Sequence, residues 1–194
     1  MYENIKDPSL KKPTPAVYGG SKGNSPLQAF FIAALKDVYW AEQELVNTLP
    51  KMIAAATTEV LIVAIEDHLA QTAMHLQRLE EVFGILGIPP EAKICFAMQG
   101  IIKESDSILA ETDDGSATRD AAIIMASQKV EHYEIATYGS LVEYAKTLGY
   151  NDIRGLLQLT FDEERMADQS LTLIAQNKIN WEAEAEGANK KLRK

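Results

Sequence analysis

Four long stretches of this chain carry apolar residues at steps of three and four, and each stripe is interrupted near mid-length by side chains with oxygen or nitrogen donors. Apolar residues at that period form one face of an α-helix, and such a face must be buried against another element. The first stretch runs from about Pro26 to Ala56, with Phe31, Leu35, Val38, Leu45 and Leu49 in phase. The second runs from about Thr58 to Leu86, with Leu61, Ile65, Leu69, Leu76, Leu79 and Phe83. The third runs from about Ala117 to Leu148, on Ile124, Val130, Tyr138, Leu141 and Leu148, and the fourth from about Asp152 to Ile179, on Ile153, Leu157, Phe161, Leu171 and Ile174. No run alternates in the manner of a strand.

Local signals agree with these boundaries. Ser25, Pro26 and Gln28 make a capping-box start, with proline at the first helical position, where its missing N–H costs nothing. Pro50 lies inside the first stretch and is expected to bend it. Gly149 is placed to stop the third helix. The links are uneven. Helices one and two join tightly around Thr57, and helices three and four around Gly149-Tyr150-Asn151, so each pair should be antiparallel. Between helices two and three lies Gly87 to Ser116, whose middle, Ile94 to Leu109, reads as one or two short helices. The expectation is an all-α, ferritin-like four-helix bundle with one long crossover between its second and third helices. Residues 1–24 read as a flexible tail, 25–180 as the bundle and 181–194 as a charged, frayed tail.

Composition narrows the function classes. With 194 residues, 46% of them hydrophobic, the chain can bury one sizeable core. A net charge of −9 argues against a nucleic-acid partner, since phosphate binding needs a basic face. Cys95 is the only cysteine, so no internal disulfide forms. With no signal-like start and no apolar run of membrane-spanning length, the expected location is the cytoplasm, without membrane contact.

The residues that break the stripes carry the chemistry. Helix one places Glu42 among Val38 and Leu45. Helix three gives Ser127, Glu131, Glu134 and Tyr138, and helix four gives Phe161, Glu164 and Asp168 with Glu163 on the flank. Helix two gives Ile65, His68, Thr72, His75 and Leu79, with Gln71 beside Thr72. A buried carboxylate must be paired, protonated or bound to a cation. Glu131 and Glu134 are three apart on one face and repel unless a proton or cation lies between them. The inward stripes hold no lysine or arginine to pair with these acids, so a bridged pair of iron or manganese ions is the better account. Taken singly, His75 reads as a structural histidine at the surface or the core edge, His132 as a surface or interface residue, and Tyr39 and Tyr138 as packing residues whose hydroxyls find a partner.

The segment Lys129-Val130-Glu131-His132-Tyr133-Glu134-Ile135-Ala136-Thr137-Tyr138-Gly139 resembles the signature of the YciE/YciF ferritin-like stress-protein family. Asp37-Val38-Tyr39-Trp40-Ala41-Glu42, His68-Leu69, Arg78-Leu79-Glu80-Glu81-Val82-Phe83 and Glu163-Glu164-Arg165-Met166-Ala167-Asp168 extend the likeness over roughly Pro26 to Asn180. The resemblance implies a rubrerythrin-like bundle able to carry two metals, a tendency to dimerise and a link to bacterial stress, with no settled reaction. Carried over by position, the metal ligands are Glu42, Glu131, Glu134, Glu164 and Asp168, with His68 as a ligand or a partner that orients one. The chain departs from the pattern at Gln71, where the family places a bridging carboxylate. Two functions follow: a metal-binding bundle, with oxygen or peroxide as small-molecule substrate and Tyr138 as an electron shuttle or a hydrogen-bond donor, or a structural homodimer whose core acids hold no metal.

Overall fold

The computed structural model describes residues 25–192, the last six by their backbone alone. The tail expected over residues 1–24 lies outside them. The described chain is helical, with no strand. Helix α1 spans Pro26–Ala55, α2 Glu59–Leu86, α3 Phe96–Glu111, α4 Ala117–Leu148 and α5 Asn151–Ile174. A π-turn, Ala175–Ile179, joins α5 to α6, Asn180–Leu192.

The expected pairs are present. Helices α1 and α2 pack together across a three-residue link, and α4 packs most extensively on α5. The crossover between α2 and α4 carries one short helix, α3, laid against α4. This is the ferritin-like four-helix arrangement of α1, α2, α4 and α5.

Each boundary has a local cause. Ser25 Oγ accepts from the Gln28 N–H at 3.1 Å, as a cap should. The Gln28 amide does not return to Ser25. It donates to the Tyr150 hydroxyl at 2.8 Å, tying the start of α1 to the α4–α5 turn. Helices α2 and α4 end in left-handed glycines, Gly87 at φ 71° and Gly149 at φ 78°, a conformation that a Cβ disfavours. Helix α1 continues through Pro50 to Ala55.

The α1–α2 link is fastened from α4. Buried Asp120 accepts from the Thr57 and Thr58 N–H groups, both at 2.8 Å, and from the Thr58 hydroxyl at 2.5 Å. The crossover is held at its end by Arg119, which donates to the carbonyls of Leu109 and Thr112 and pairs with Asp114.

The C-terminal end differs from the expectation of a frayed tail. Helix continues to Leu192, and the Glu186 carboxylate accepts from the Ala117 N–H at 2.6 Å and from the Thr118 hydroxyl at 2.7 Å, capping the start of α4. The charged composition of this stretch reflects a helix with little apolar surface rather than fraying. Its anchors are buried Ile179 and that cap.

The core is divided in two along the bundle. One cluster holds Leu45, Leu49, Met52, Leu61, Ile65 and Ile123. The other holds Phe31, Leu35, Val38, Leu79, Phe83 and Leu141. Burying each such side chain contributes roughly 1.5–3 kcal/mol, so either cluster alone is a substantial core. Between them, on every helix of the four, sit the polar residues that interrupt the stripes.

Candidate metal centre

At mid-length α1 contributes Glu42, α2 contributes His68 and His75, α4 contributes Glu131 and Glu134, and α5 contributes Glu164. All six are buried. Their donor atoms fall into two groups, within each of which one atom per residue lies within 4.8 Å of the others. One is His68, Glu131, Glu134 and Glu164. The second is Glu42, His75 and Glu164. Glu164 belongs to both.

The spacing is that of neighbouring ligands. His75 Nδ1 lies 2.9 Å from Glu164 Oε1 and 3.5 Å from Glu42 Oε1. His68 Nε2 lies 3.4 Å from Glu131 Oε1, and its Nδ1 lies 4.0 Å from Glu164 Oε2. Adjacent donors on an octahedral ion with bonds of about 2.1 Å are separated by about 3 Å. The His75–Glu164 approach, although short, lacks hydrogen-bond alignment, and His75 Nδ1 has no partner in the protein.

That last feature is general. Among the described residues, nine buried side-chain atoms lack a hydrogen-bonding partner: Glu42 Oε2, both His68 ring nitrogens, His75 Nδ1, Glu131 Oε2, and both carboxylate oxygens of Glu134 and of Glu164. All nine belong to the six residues of the centre. An unsatisfied buried polar group costs about 1–3 kcal/mol, against a typical net stability of about 5–15 kcal/mol. The donor set therefore calls for protons or cations. Fully ionised, the four carboxylates would carry four negative charges, the amount that two divalent ions neutralise.

Protonation follows the same physics. Burial pushes Glu131 and Glu134 well above the usual carboxylate range, and the charge of nearby Glu164 pushes them further. Burial raises Glu42 too, although His75 opposes it. Burial alone would lower His75, but Glu164 and Glu42 reverse that and raise it to about 10. Glu164 is held below the usual range because His75 and His68 outweigh its burial. His68 is lowered, burial being the largest cause.

A second layer holds one side of the centre. The Glu163 carboxylate accepts from His75 Nε2 at 2.9 Å and from Arg78 NH2 at 2.8 Å, with a second Arg78 bond from NH1. Arg78 NH1 also donates to Thr160 Oγ1 at 3.2 Å. The Tyr138 hydroxyl, fully buried, donates to Glu42 Oε1. The hydroxyl of buried Thr72 turns back to the His68 carbonyl at 2.9 Å.

Of the residues singled out from the sequence, Glu42, His68, Glu131, Glu134 and Glu164 come together. Asp168 lies one turn beyond Glu164 at the rim, half-buried, accepting from Gln128 Nε2 at 3.1 Å and facing His132 Nε2 at 3.3 Å, outside both groups. Gln71 is half-buried, three residues after His68 and four before His75. His75 is the residue that the sequence reading set aside. It is fully buried at the centre and belongs to one of the two groups. The available signal was its spacing of seven from His68, two turns along the same face.

The comparisons with known proteins agree with this architecture. A family described as a domain of unknown function, DUF892, matches residues 26–184. Protein YciF of Escherichia coli is 38% identical over 164 residues, covering 81% of this chain and 95% of that protein. The crystal structure of that E. coli stress protein superposes with a TM-score of 0.76 at 37% identity, covering 81% of this chain and 99% of the other. YcfI of Rhodopseudomonas palustris, described provisionally as a structural protein, gives 0.74 at 38% identity over 79% of this chain and 97% of its own. A Xanthomonas campestris protein shares the fold at 19% identity, with a TM-score of 0.63. This chain belongs to the DUF892 family and is a relative of the stress protein YciF.

Proposed function

We propose that this protein is a metal-binding ferritin-like bundle whose carboxylate-rich centre holds a pair of iron or manganese ions. The observation that carries this reading is that all nine partnerless buried polar atoms found among the described residues belong to the six residues of the centre. Glu131, Glu134 and His68 would hold one ion, Glu42 and His75 the other, and Glu164 would bridge them. Such a pair supplies Lewis acidity and redox chemistry toward oxygen or peroxide. The protein's own contribution is to fix the ligands, exclude bulk water and hold His75 through Glu163. The two apolar clusters that flank the centre serve the second of these tasks.

The relationship to a stress protein supports a stress-related role, and the cytoplasm is the compartment that fits a chain with a single cysteine. Among the described residues no helix is long and apolar enough to cross a membrane. Exposed Phe30, Phe96 and Trp181 support a homodimer that covers part of this apolar surface.

A second reading, a non-catalytic structural protein whose centre holds no metal, has one observation in its favour: a protonated His75 clasped by Glu42, Glu163 and Glu164 supplies an internal cation of its own. Metal analysis separates the two. Protein purified without chelator or nickel resin, loaded aerobically with manganese or iron and desalted, should retain about two ions per chain, and Glu164→Ala should retain few. A chain that retains none, and whose Glu164→Ala variant is indistinguishable from it, is the structural protein.

A further inference from the structure

Two small cavities adjoin the centre, and both touch its His68–Glu131 half. One, of about 30 Å³, has a mixed wall, in which Ser127, Ser170, His68 and Glu131 supply polar atoms among leucine, isoleucine and alanine. The other, of about 20 Å³, lies between α1, α3 and α4 and meets the same His68 and Glu131. Neither reaches Glu42 or His75. A water needs roughly 10–15 Å³ and two to four polar partners, so the larger space suits one or two waters. Both ring nitrogens of buried His68, and Oε2 of buried Glu131, have no partner in the protein. They are the donors that this space presents to whatever enters it.

The larger cavity lies close to the surface. An open groove between α2 and α5, of about 500 Å³, shares Ala64 and Ser170 with it. These two small side chains are the wall that both spaces have in common. Exposed Asp67 lies in the groove, and Lys178, the other charged residue there, pairs with Glu182 at 4.0 Å. The groove is wide enough for a divalent cation with a shell of about six waters. The inner cavity is not, so an ion that crosses must leave most of its waters at the wall. The hydroxyls of Ser170 and Ser127, then Glu131 and His68, stand in order to replace them.

The other approaches are barred to a cation. His75 is held through Nε2 by Glu163, and Glu163 is held by Arg78. An ion approaching His75 from that side meets the fixed positive charge of Arg78. Between α4 and α5, one turn before Glu131, Gln128 donates to Asp168 at 3.1 Å and to Thr172 at 2.8 Å, bridging the two helices.

We propose that the His68–Glu131 half is the loading side of the centre: a hydrated divalent cation enters the α2–α5 groove past Asp67, crosses between Ala64 and Ser170, and exchanges its waters for Glu131 and His68. The Glu42–His75 position is then filled from within, across Glu164, which belongs to both donor groups. This route rests on the metal-binding reading above. It gives the two halves different tasks, one admitting and releasing ions and the other holding them.

The test follows cobalt into full-length, metal-free protein by stopped-flow visible absorption, with release into excess chelator as the reverse measurement. Ser170→Leu, which adds bulk to the shared wall and removes no ligand, should slow loading and release alike, each several-fold, and leave the affinity where it was. Ala64→Leu makes the same change from α2 if Ser170→Leu does not fold. Asp67→Lys should slow loading several-fold at low salt, and its effect should fade near 1 M salt, where the screening length is about 3 Å. Loading at the wild-type rate in both wall variants overturns the route. So does slower loading with release unchanged, since the affinity would then have fallen and the substitutions would be acting on the ligands. A chain that takes up no cobalt removes the metal-binding reading and the route together, whereas uptake at unaltered rates in every variant removes the route alone.

Discussion

Glu163 accepts from the Nε2 of His75 at 2.9 Å, and that bond decides which ring nitrogen of His75 faces the centre. With one proton held on Nε2, a metal that displaces the second proton would meet the Nδ1 lone pair, which faces Glu42 and Glu164. The carboxylate is itself locked by two bonds from Arg78. Partners of this kind set the tautomer and raise the basicity of a metal-binding histidine. Glu163→Ala should therefore weaken one of the two metal positions by about 10–100-fold while leaving the His68 position nearly unchanged. Cobalt titration followed by visible absorption would show one tight and one weak step; a uniform loss at both steps would mean that Glu163 acts only on the fold.

Gln71 stands on α2 between the two histidines, half-buried. A carboxylate there adds an anionic oxygen where an amide now offers a neutral one. Gln71→Glu is expected to raise the affinity for manganese or iron. Competition against a chelator of known affinity measures it, and equal affinities in the two proteins would show that position 71 does not limit the centre.

The pH response of the metal-free protein has a definite sign. Glu131 and Glu134, raised by burial, keep protons in the folded state that the unfolded chain has lost. Their contribution is present below the ordinary value of 4.5 and is lost as pH rises through their folded values. His75 acts in the same sense: its share is present below 6.5 and lost as pH rises toward about 10. Glu164, lowered by the two histidines, acts oppositely, its share being present above 4.5 and lost as pH falls. Between neutral pH and about 10 the falling contributions act without opposition from Glu164, so the melting temperature of metal-free protein should decline as the pH rises. Manganese should flatten the decline and release protons on binding. A melting temperature that holds steady or climbs over that range, with no proton release on metal addition, would contradict this account.

Among the described residues, Tyr138 gives Glu42 the only hydrogen bond that its carboxylate receives from an aligned donor, and Glu42 Oε2 has no partner. Tyr138→Phe removes the donor and keeps the ring. The metal-free protein should lose about 1–3 kcal/mol, or roughly 2–4 °C of melting temperature per kcal/mol for a chain of this size. Urea unfolding measures it. A change within error would show that Glu42 does not depend on this bond.

Most of this centre was legible because a carboxylate in an apolar stripe is conspicuous. Glu42, Glu131, Glu134 and Glu164 each stand in a phase otherwise filled largely by apolar and aromatic residues. His75 was not legible in the same way. Its partners come from α1 and α5, with Glu163 eighty-eight positions away in sequence, and periodicity along one helix does not say what faces it from another. Asp168 shows the converse, since sharing a face with Glu164 carried it only to the rim. The bundle and its crossover could be read from stripe and link lengths. Helix α6 could not, because its few apolar residues leave no stripe and the cap that fixes it, Glu186 on the start of α4, spans sixty-nine positions.

Glu164 alone is shared by the two donor groups. Its carboxylate cannot adjust to an ion on one side without changing what it offers on the other, so the two positions form a linked system. Thermodynamic reciprocity then applies: whatever factor the first ion imposes on the affinity of the second, the second imposes on the first. A binding isotherm for this protein should be fitted with one constant for each position and a coupling factor between them, because neither constant alone describes the filling of the pair.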